Sequence, residues 1–301
     1  MTTQTIPIKS ASEPPAILAP EADLFLRRAT RFDQLAEGHS LGDWLRYLSA
    51  LCRAQHEALR ALPSLPVPDV AALARAREHH MPPLPAQSWP RDPAWHQALR
   101  SIAAALLPAA PEPARADLTR IATLPADQLE TLAERVLHTE LYGDDAALLP
   151  YVGAALQVLW TGLAQRVAPS LTQLDVPGVC PCCGFLPVAS VVKTVNETAN
   201  LRYLHCALCN TEWNLVRVKC ASCDSTEGVA YRELAGDAVR QPGAVRAETC
   251  DSCKSYLKIV YQENGGVDPV ADDLATLALD ILVDEAGYSR AGPNLLLVPG
   301  G

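Results

Sequence analysis

From Glu21 to about Ala168 the apolar positions recur with helical spacing. Leu41, Trp44, Leu45, Leu48, Cys52 and Leu59 fall on one face of a helix, after Ser40-x-x-Asp43, which has the form of a capping box. Asp92 followed by Pro93 reads as an N-cap and a first-turn proline opening a helix through Leu107. Asp127 to Leu141 and Ala147 to Val167 have the pattern of two further helices. Proline-rich breaks at 81–85 and 108–113 make this half an irregular helical domain and not a regular bundle. Near Pro177-Gly178 the pattern changes. Short β-rich runs follow at Val188–Val192, Trp213–Val218, Val229–Arg232 and Tyr256–Tyr261. A last helix has Asp268 as its cap, Pro269 as its first residue, Leu274, Leu277, Ile281 and Leu282 as its apolar face, and Gly287 as its left-handed stop.

This pattern divides the 301 residues into a flexible tail (1–20), an α-helical domain (21–176), two small β domains (177–219 and 220–267) and a closing helix with a C-terminal tail (268–301). The expected class is α+β and multidomain. With 49% hydrophobic residues the chain can bury a sizeable core. The longest apolar run, Tyr151 to Ala164, is broken by Gln157 and is shorter than the roughly 18–20 residues of a membrane span. No charged segment followed by an apolar one begins the chain, so a cytoplasmic protein without membrane insertion is expected. The formal charge of −9 argues against a nonspecific nucleic-acid binder. Arg27-Arg28 reads as helix surface, and Asp272-Asp273 as first-turn carboxylates that favour the helix dipole.

Ten cysteines change the picture. Eight form four C-x-x-C pairs: Cys180/Cys183, Cys206/Cys209, Cys220/Cys223 and Cys250/Cys253. Arg202-x-x-x-Cys206-x-x-Cys209 recurs 44 residues on as Arg246-x-x-x-Cys250-x-x-Cys253, and Cys180/Cys183 recurs 40 residues on as Cys220/Cys223. A C-x-x-C turn presents two thiolates on one side of a tight loop, and two such turns supply the four ligands of a tetrahedral ion at about 2.3 Å. Four pairs make two sites with none left over. The repeat favours sequential pairing, Cys180, Cys183, Cys206 and Cys209 in one site and Cys220, Cys223, Cys250 and Cys253 in the other, with a cross-brace as the alternative. Disulfides are disfavoured by the strain of bridging within such turns and by a reducing compartment. Four protein ligands leave no open position, so either ion would be structural or a one-electron centre, and all-sulfur ligation suits zinc or iron.

The remaining candidates are weaker. Cys182, between two ligands, is either a spare thiol or a residue tolerated in the turn. His205 beside Cys206 is either a second donor behind the ligands or a surface residue. Cys52 reads as core. His79, His80 and His138 have no partners at metal spacing. Arg202, Arg217, Lys219, Lys254 and Lys258 flank the pairs and read individually as surface cations. No phosphate-binding glycine loop or nucleophile–base pair is evident, so the sequence gives no sign of an enzyme.

The run from Leu204 to Cys220, LHCALCNTEWNLVRVKC, the run DSCKSYLKIVYQE from Asp251 to Glu263 and the run DPVADDLATLALD from Asp268 to Asp280 resemble the formate dehydrogenase accessory protein family FdhE. The resemblance is close from about 178 to 288, while the N-terminal half carries no comparably specific motif. It implies tandem rubredoxin-like metal sites associated with iron. It also implies a cytoplasmic protein needed for active formate dehydrogenase without being its subunit, and a partner in the catalytic subunit, a molybdenum–selenocysteine and iron–sulfur protein exported by the twin-arginine route. The leading expectation is therefore a maturation factor. A rubredoxin-like electron carrier and a zinc-ribbon nucleic-acid binder are the alternatives, the latter because Lys193, Arg202, Arg217 and Lys219 make residues 193–223 locally basic. Oligomeric state is left open.

Overall fold

The computed structural model describes residues 13–235 and 241–298. Residues 1–12 of the expected tail lie outside it. Within the remainder of that stretch, Ile17–Leu18 forms strand β1. Helices α1 (Leu24–Ala36), α2 (Gly42–Arg60), α3 (Val70–Glu78), α4 (Ala94–Leu106), α5 (Glu112–Thr123), α6 (Ala126–Leu137) and α7 (Leu149–Val167) follow. Strands β2 (Pro187–Val195), β3 (Thr198–Cys206), β4 (Glu212–Asn214), β5 (Val229–Arg232), β6 (Val245–Cys250) and β7 (Ser255–Tyr261) come next, then α8 (Pro269–Leu274), α9 (Leu277–Glu285) and β8 (Ser289–Arg290).

The helical half is built around α7. Fifteen of its 19 residues are buried, and α2, α4 and α6 pack on it. The segment 146–170 is apolar and long enough to cross a membrane, with mean hydropathy 1.4. Yet 78% of that window is buried inside the protein, so here it is the helix that the others bury. Gly153 is where the C-terminal segment crosses α7: a Cβ there would meet the Leu295 carbonyl oxygen at 2.7 Å.

The strands of the second half, with β1 from the N-terminal segment at one edge, form one sheet in the order β1-β4-β3-β2-β7-β6-β5, with β8 on β7. The two cysteine modules are therefore fused. Strand β2 of the first pairs in parallel with β7 of the second, Ser190 opposite Ile259 and Val192 opposite Tyr261. Arg202 braces the same junction. Fully buried, it donates to Ser190 Oγ, to the Lys219 carbonyl and, at 2.7 Å, to Glu248 Oε1 on β6.

Several elements depart from expectation for local reasons. No capping box forms at α2: its first-turn side chains make no cap, and Asp43 pairs with Arg46. Helix α4 starts one residue later than expected, with Asp92 Oδ1 accepting from Ala94 N. Helix α6 ends at Leu137 because Thr139 takes φ +60°. The strand expected over 213–218 ends at Asn214, and Val218, at φ +61°, cannot continue it. The closing helix is broken between α8 and α9. Thr276 Oγ1 donates to the carbonyls of Asp272 and Asp273, and Lys258 Nζ enters the gap to donate to the carbonyls of Asp273 and Thr276. The break rotates the expected face: Leu279 and Val283 are buried, while Ile281 and Leu282 are exposed. Gly287 takes φ +85°, the expected stop.

Candidate metal centres

Each C-x-x-C pair forms a knuckle closed by a residue in the left-handed region immediately after its second cysteine: Gly184 (φ +71°), Asn210 (+58°), Asp224 (+65°) and Lys254 (+54°). In the first and third knuckles the chain turns back identically. Gly184 N donates to the Cys180 carbonyl and Asp224 N to the Cys220 carbonyl, while Cys180 N and Cys220 N donate to the carbonyls of Phe185 and Ser225. The turn directs backbone N–H groups at sulfur: Cys182 N donates to Cys180 Sγ, Leu208 N and Cys209 N to Cys206 Sγ, and Ser222 N to Cys220 Sγ, each at 3.4 Å. Such bonds favour thiolates.

The knuckles meet sequentially and not as a cross-brace. The sulfurs of Cys180, Cys183, Cys206 and Cys209 all lie within 4.8 Å of one another, as do those of Cys220, Cys223, Cys250 and Cys253. Cross-knuckle separations are 3.4 and 3.5 Å in the first quartet and 3.7 Å for both pairs in the second. A tetrahedron with 2.3 Å metal–sulfur bonds has edges of about 3.8 Å. The donor set therefore fits a tetrahedral thiophilic ion such as zinc or iron. All ten cysteines are free thiols, with no disulfide among them. Burial pushes the thiols of Cys180 and Cys183 well above their ordinary value. For Cys209 burial acts in the same sense, but hydrogen bonds from Cys180, Cys182, Cys183 and Cys206 outweigh it and pull the thiol well down. A cation among these sulfurs would resolve this conflict by favouring four thiolates together.

Cys182 belongs to neither quartet, and it is fully buried. His205 does not face the sulfurs, nor is it at the surface. Buried, it contacts Glu212 Oε1 through Nδ1 and Asn210 Oδ1 through Nε2, both at 3.1 Å. Asn210, which closes the second knuckle, donates to Thr161 Oγ1 of α7 at 2.8 Å and accepts from Arg28 Nη2 at 3.0 Å. Arg28 is therefore not helix surface as its pattern suggested; it is fully buried, while Arg27 is exposed. Lys258 and the Asp272-Asp273 pair are likewise buried: Arg31 pairs with Asp272, and Lys258 and Arg290 with Asp273 and Asp280. Cys52 is core, as expected. The cations of the basic stretch 193–223 are largely paired, Lys193 with Glu212 inside it and Arg202 and Lys219 with Glu248 and Asp224 beyond it. The partners of Arg28, Arg31 and Arg202 are remote in sequence, and only the Arg-x-x-x-Cys repeat marked Arg202 as special.

An irregular helical domain joined to a fused pair of four-cysteine modules defines the class of this protein. The chain matches three consecutive family descriptions: FdhE, N-terminal, over residues 13–174; FdhE, central domain, over 179–217; and FdhE, C-terminal domain, over 218–297. It is 40% identical over 298 residues to an FdhE homolog of Pseudomonas aeruginosa, covering 97% of this chain and 96% of that one. A homolog from Cronobacter sakazakii is 37% identical over 291 residues, covering 95% and 92%. The crystal structure of the FdhE protein from Pseudomonas aeruginosa superposes with a TM-score of 0.81 at 40% identity, over 96% of this chain and all of that one. The chain belongs to the FdhE family.

Proposed function

We propose that this protein is a cytoplasmic accessory factor for formate dehydrogenase that binds the immature catalytic subunit and is not itself an enzyme. FdhE membership along the whole chain supports the accessory role, and the pair of four-cysteine quartets carries the reading of how it is built. Cys180, Cys183, Cys206 and Cys209 would hold one metal ion in the module 177–219, and Cys220, Cys223, Cys250 and Cys253 a second in the module 220–267. When bound, each ion supplies a four-thiolate crosslink and, if it is iron, a one-electron couple. The residues around the sulfurs position the knuckles: Asn210 joins the second to α7 and Arg28, and Arg202 ties the two modules through Glu248.

The test is a pull-down of the formate dehydrogenase catalytic subunit with the metal-loaded chain, paired with formate dehydrogenase activity in a strain lacking the gene. Recovery of the subunit and restored activity are expected; a loaded chain that restores activity without ever contacting the subunit would overturn the binding step. An electron-transfer role is favoured by one observation, the exposure of Cys223 and Cys253, and would show as a reversible midpoint potential in the iron-loaded protein. A nucleic-acid role finds little support in a basic segment whose lysines and Arg202 are paired with carboxylates.

A further inference from the structure

The two quartets share a local geometry but not an environment. In the first, all four cysteines are buried, at 0–1% exposure. Its knuckles are also sealed by the helical domain. The carbonyls of Cys182 and Cys183 accept from Leu84 N and Ala86 N at 3.0 and 2.8 Å, and the Ala207 carbonyl accepts from Gln157 Nε2 at 2.8 Å. Leu84 is fixed in turn by Trp160 Nε1, which donates to its carbonyl. In the second quartet Cys220 and Cys250 are buried, but Cys223 and Cys253 are exposed. The outer edge is bordered by hydroxyls instead of a covering segment: Ser255 Oγ lies 3.0 Å from Cys253 Sγ and 3.2 Å from Ser222 Oγ, and Ser225 Oγ lies 3.3 Å from Ser252 Oγ.

We infer that the two sites divide their work. The second quartet is the exchange-competent site, with the Cys223–Cys253 edge as the face through which a soft ligand reaches the ion and through which metal enters and leaves. The first is a closed staple whose knuckle carbonyls dock the helical domain. The reasoning is steric. Ligand exchange at a four-thiolate ion needs an incoming donor to approach one edge of the tetrahedron. The four cysteines of the first quartet are buried, whereas water and small solutes meet the second at Cys223 and Cys253 across a polar rim. This assignment rests on reading both quartets as metal sites.

The experiment uses the full chain as purified, with its metal content measured. The soft chelator 4-(2-pyridylazo)resorcinol is added in excess, metal release is followed by absorbance, and exposed thiols are trapped with iodoacetamide at timed intervals and located by peptide mass spectrometry. Release in two phases of equal size is expected, the first about tenfold or more faster. During that phase Cys220, Cys223, Cys250 and Cys253 become carbamidomethylated, while Cys180, Cys183, Cys206 and Cys209 stay protected and tryptophan fluorescence is unchanged. A single phase that labels all eight together, or earlier labelling of the first quartet, would overturn the division. Cys223→Ser should abolish the fast phase and keep the slow one; if that variant does not fold, the labelling order in the unaltered chain decides. Less than one metal per chain, with all eight thiols labelled at once, would instead overturn the metal reading beneath both statements.

Discussion

Arg28 and Asp268 stand 240 residues apart in the chain, and Arg28 Nε donates to both carboxylate oxygens of Asp268, at 3.0 and 3.1 Å. The same carboxylate caps α8, Oδ1 accepting from Val270 N and Ala271 N. One buried side chain thus fixes the first helix, the start of the closing segment and, through Asn210, a cysteine knuckle. Removing one partner leaves the other charge uncompensated. Asp268→Ala is expected to cost about 3–5 kcal/mol of unfolding free energy in guanidinium titrations of the metal-loaded chain. A loss below about 1 kcal/mol, the size of a cap alone, would show that the pair does not hold the seam.

Glu212 gives the fold an acid-sensitive contact. Burial opposes its charge, but the hydrogen bond from His205 and the charge of Lys193 prevail and hold its carboxyl at about 2, against an ordinary 4.5. The folded chain therefore releases this proton more readily than the unfolded one. The resulting stabilisation, about 3 kcal/mol, is complete above pH 4.5 and is lost as pH falls toward 2. Acid also strips metal from thiolates, so the informative quantity is the difference between the unaltered chain and Glu212→Gln. That difference should be largest near neutrality and shrink below pH 4.5; a gap that stays constant down to pH 3 would count against it.

What could be read from the sequence was what is local. A C-x-x-C pair, its tandem recurrence and the apolar run of α7 need only neighbouring residues to be recognised, and both quartets follow from them. Arg28, Arg202 and Lys258 misled because a cation is read as surface until its partner is known, and Asp268, Glu248 and Asp273 are brought to them by folding. Strands β3 and β6 are not legible as strands because polar side chains interrupt their apolar runs, Arg202 and His205 in β3 and Glu248 and Thr249 in β6, and only folding buries them. The break between α8 and α9 comes from Lys258, which lies on a strand outside either helix.

That break yields a paired test. Leu279 is buried against Ala247, Tyr256 and Val283, while Leu282, part of the expected apolar face, is 54% exposed. Leu279→Ala should cost about 2–4 kcal/mol in chemical denaturation, and Leu282→Gln less than about 0.5 kcal/mol. Equal losses would mean that the segment runs as one continuous helix.

Gly178 lies where the first module begins, yet it abuts the second. A Cβ at this position would meet the Ala221 carbonyl oxygen at 2.1 Å, inside the Cys220–Cys223 knuckle. The obstacle is backbone, so the knuckle itself must shift. Gly178→Ala is expected to cost about 1–3 kcal/mol and to weaken the second site selectively, seen as faster loss of one metal equivalent to a chelator. Unchanged release would show that the knuckle yields without disturbing its sulfurs.

Cys182 tests where the first quartet stops. It is fully buried and sits between two members of that quartet; its N–H donates to Cys180 Sγ, its carbonyl accepts from Leu84 N, and its thiol lies against Cys209 without being one of the four. Alanine keeps both backbone bonds. Cys182→Ala should therefore retain two metal ions per chain and cost about 1 kcal/mol, whereas Cys180→Ala should lose one ion and loosen the contact with Leu84 and Ala86. Metal analysis of the two purified variants separates the cases, and loss of an ion from Cys182→Ala would put a fifth sulfur into the working set of the first site.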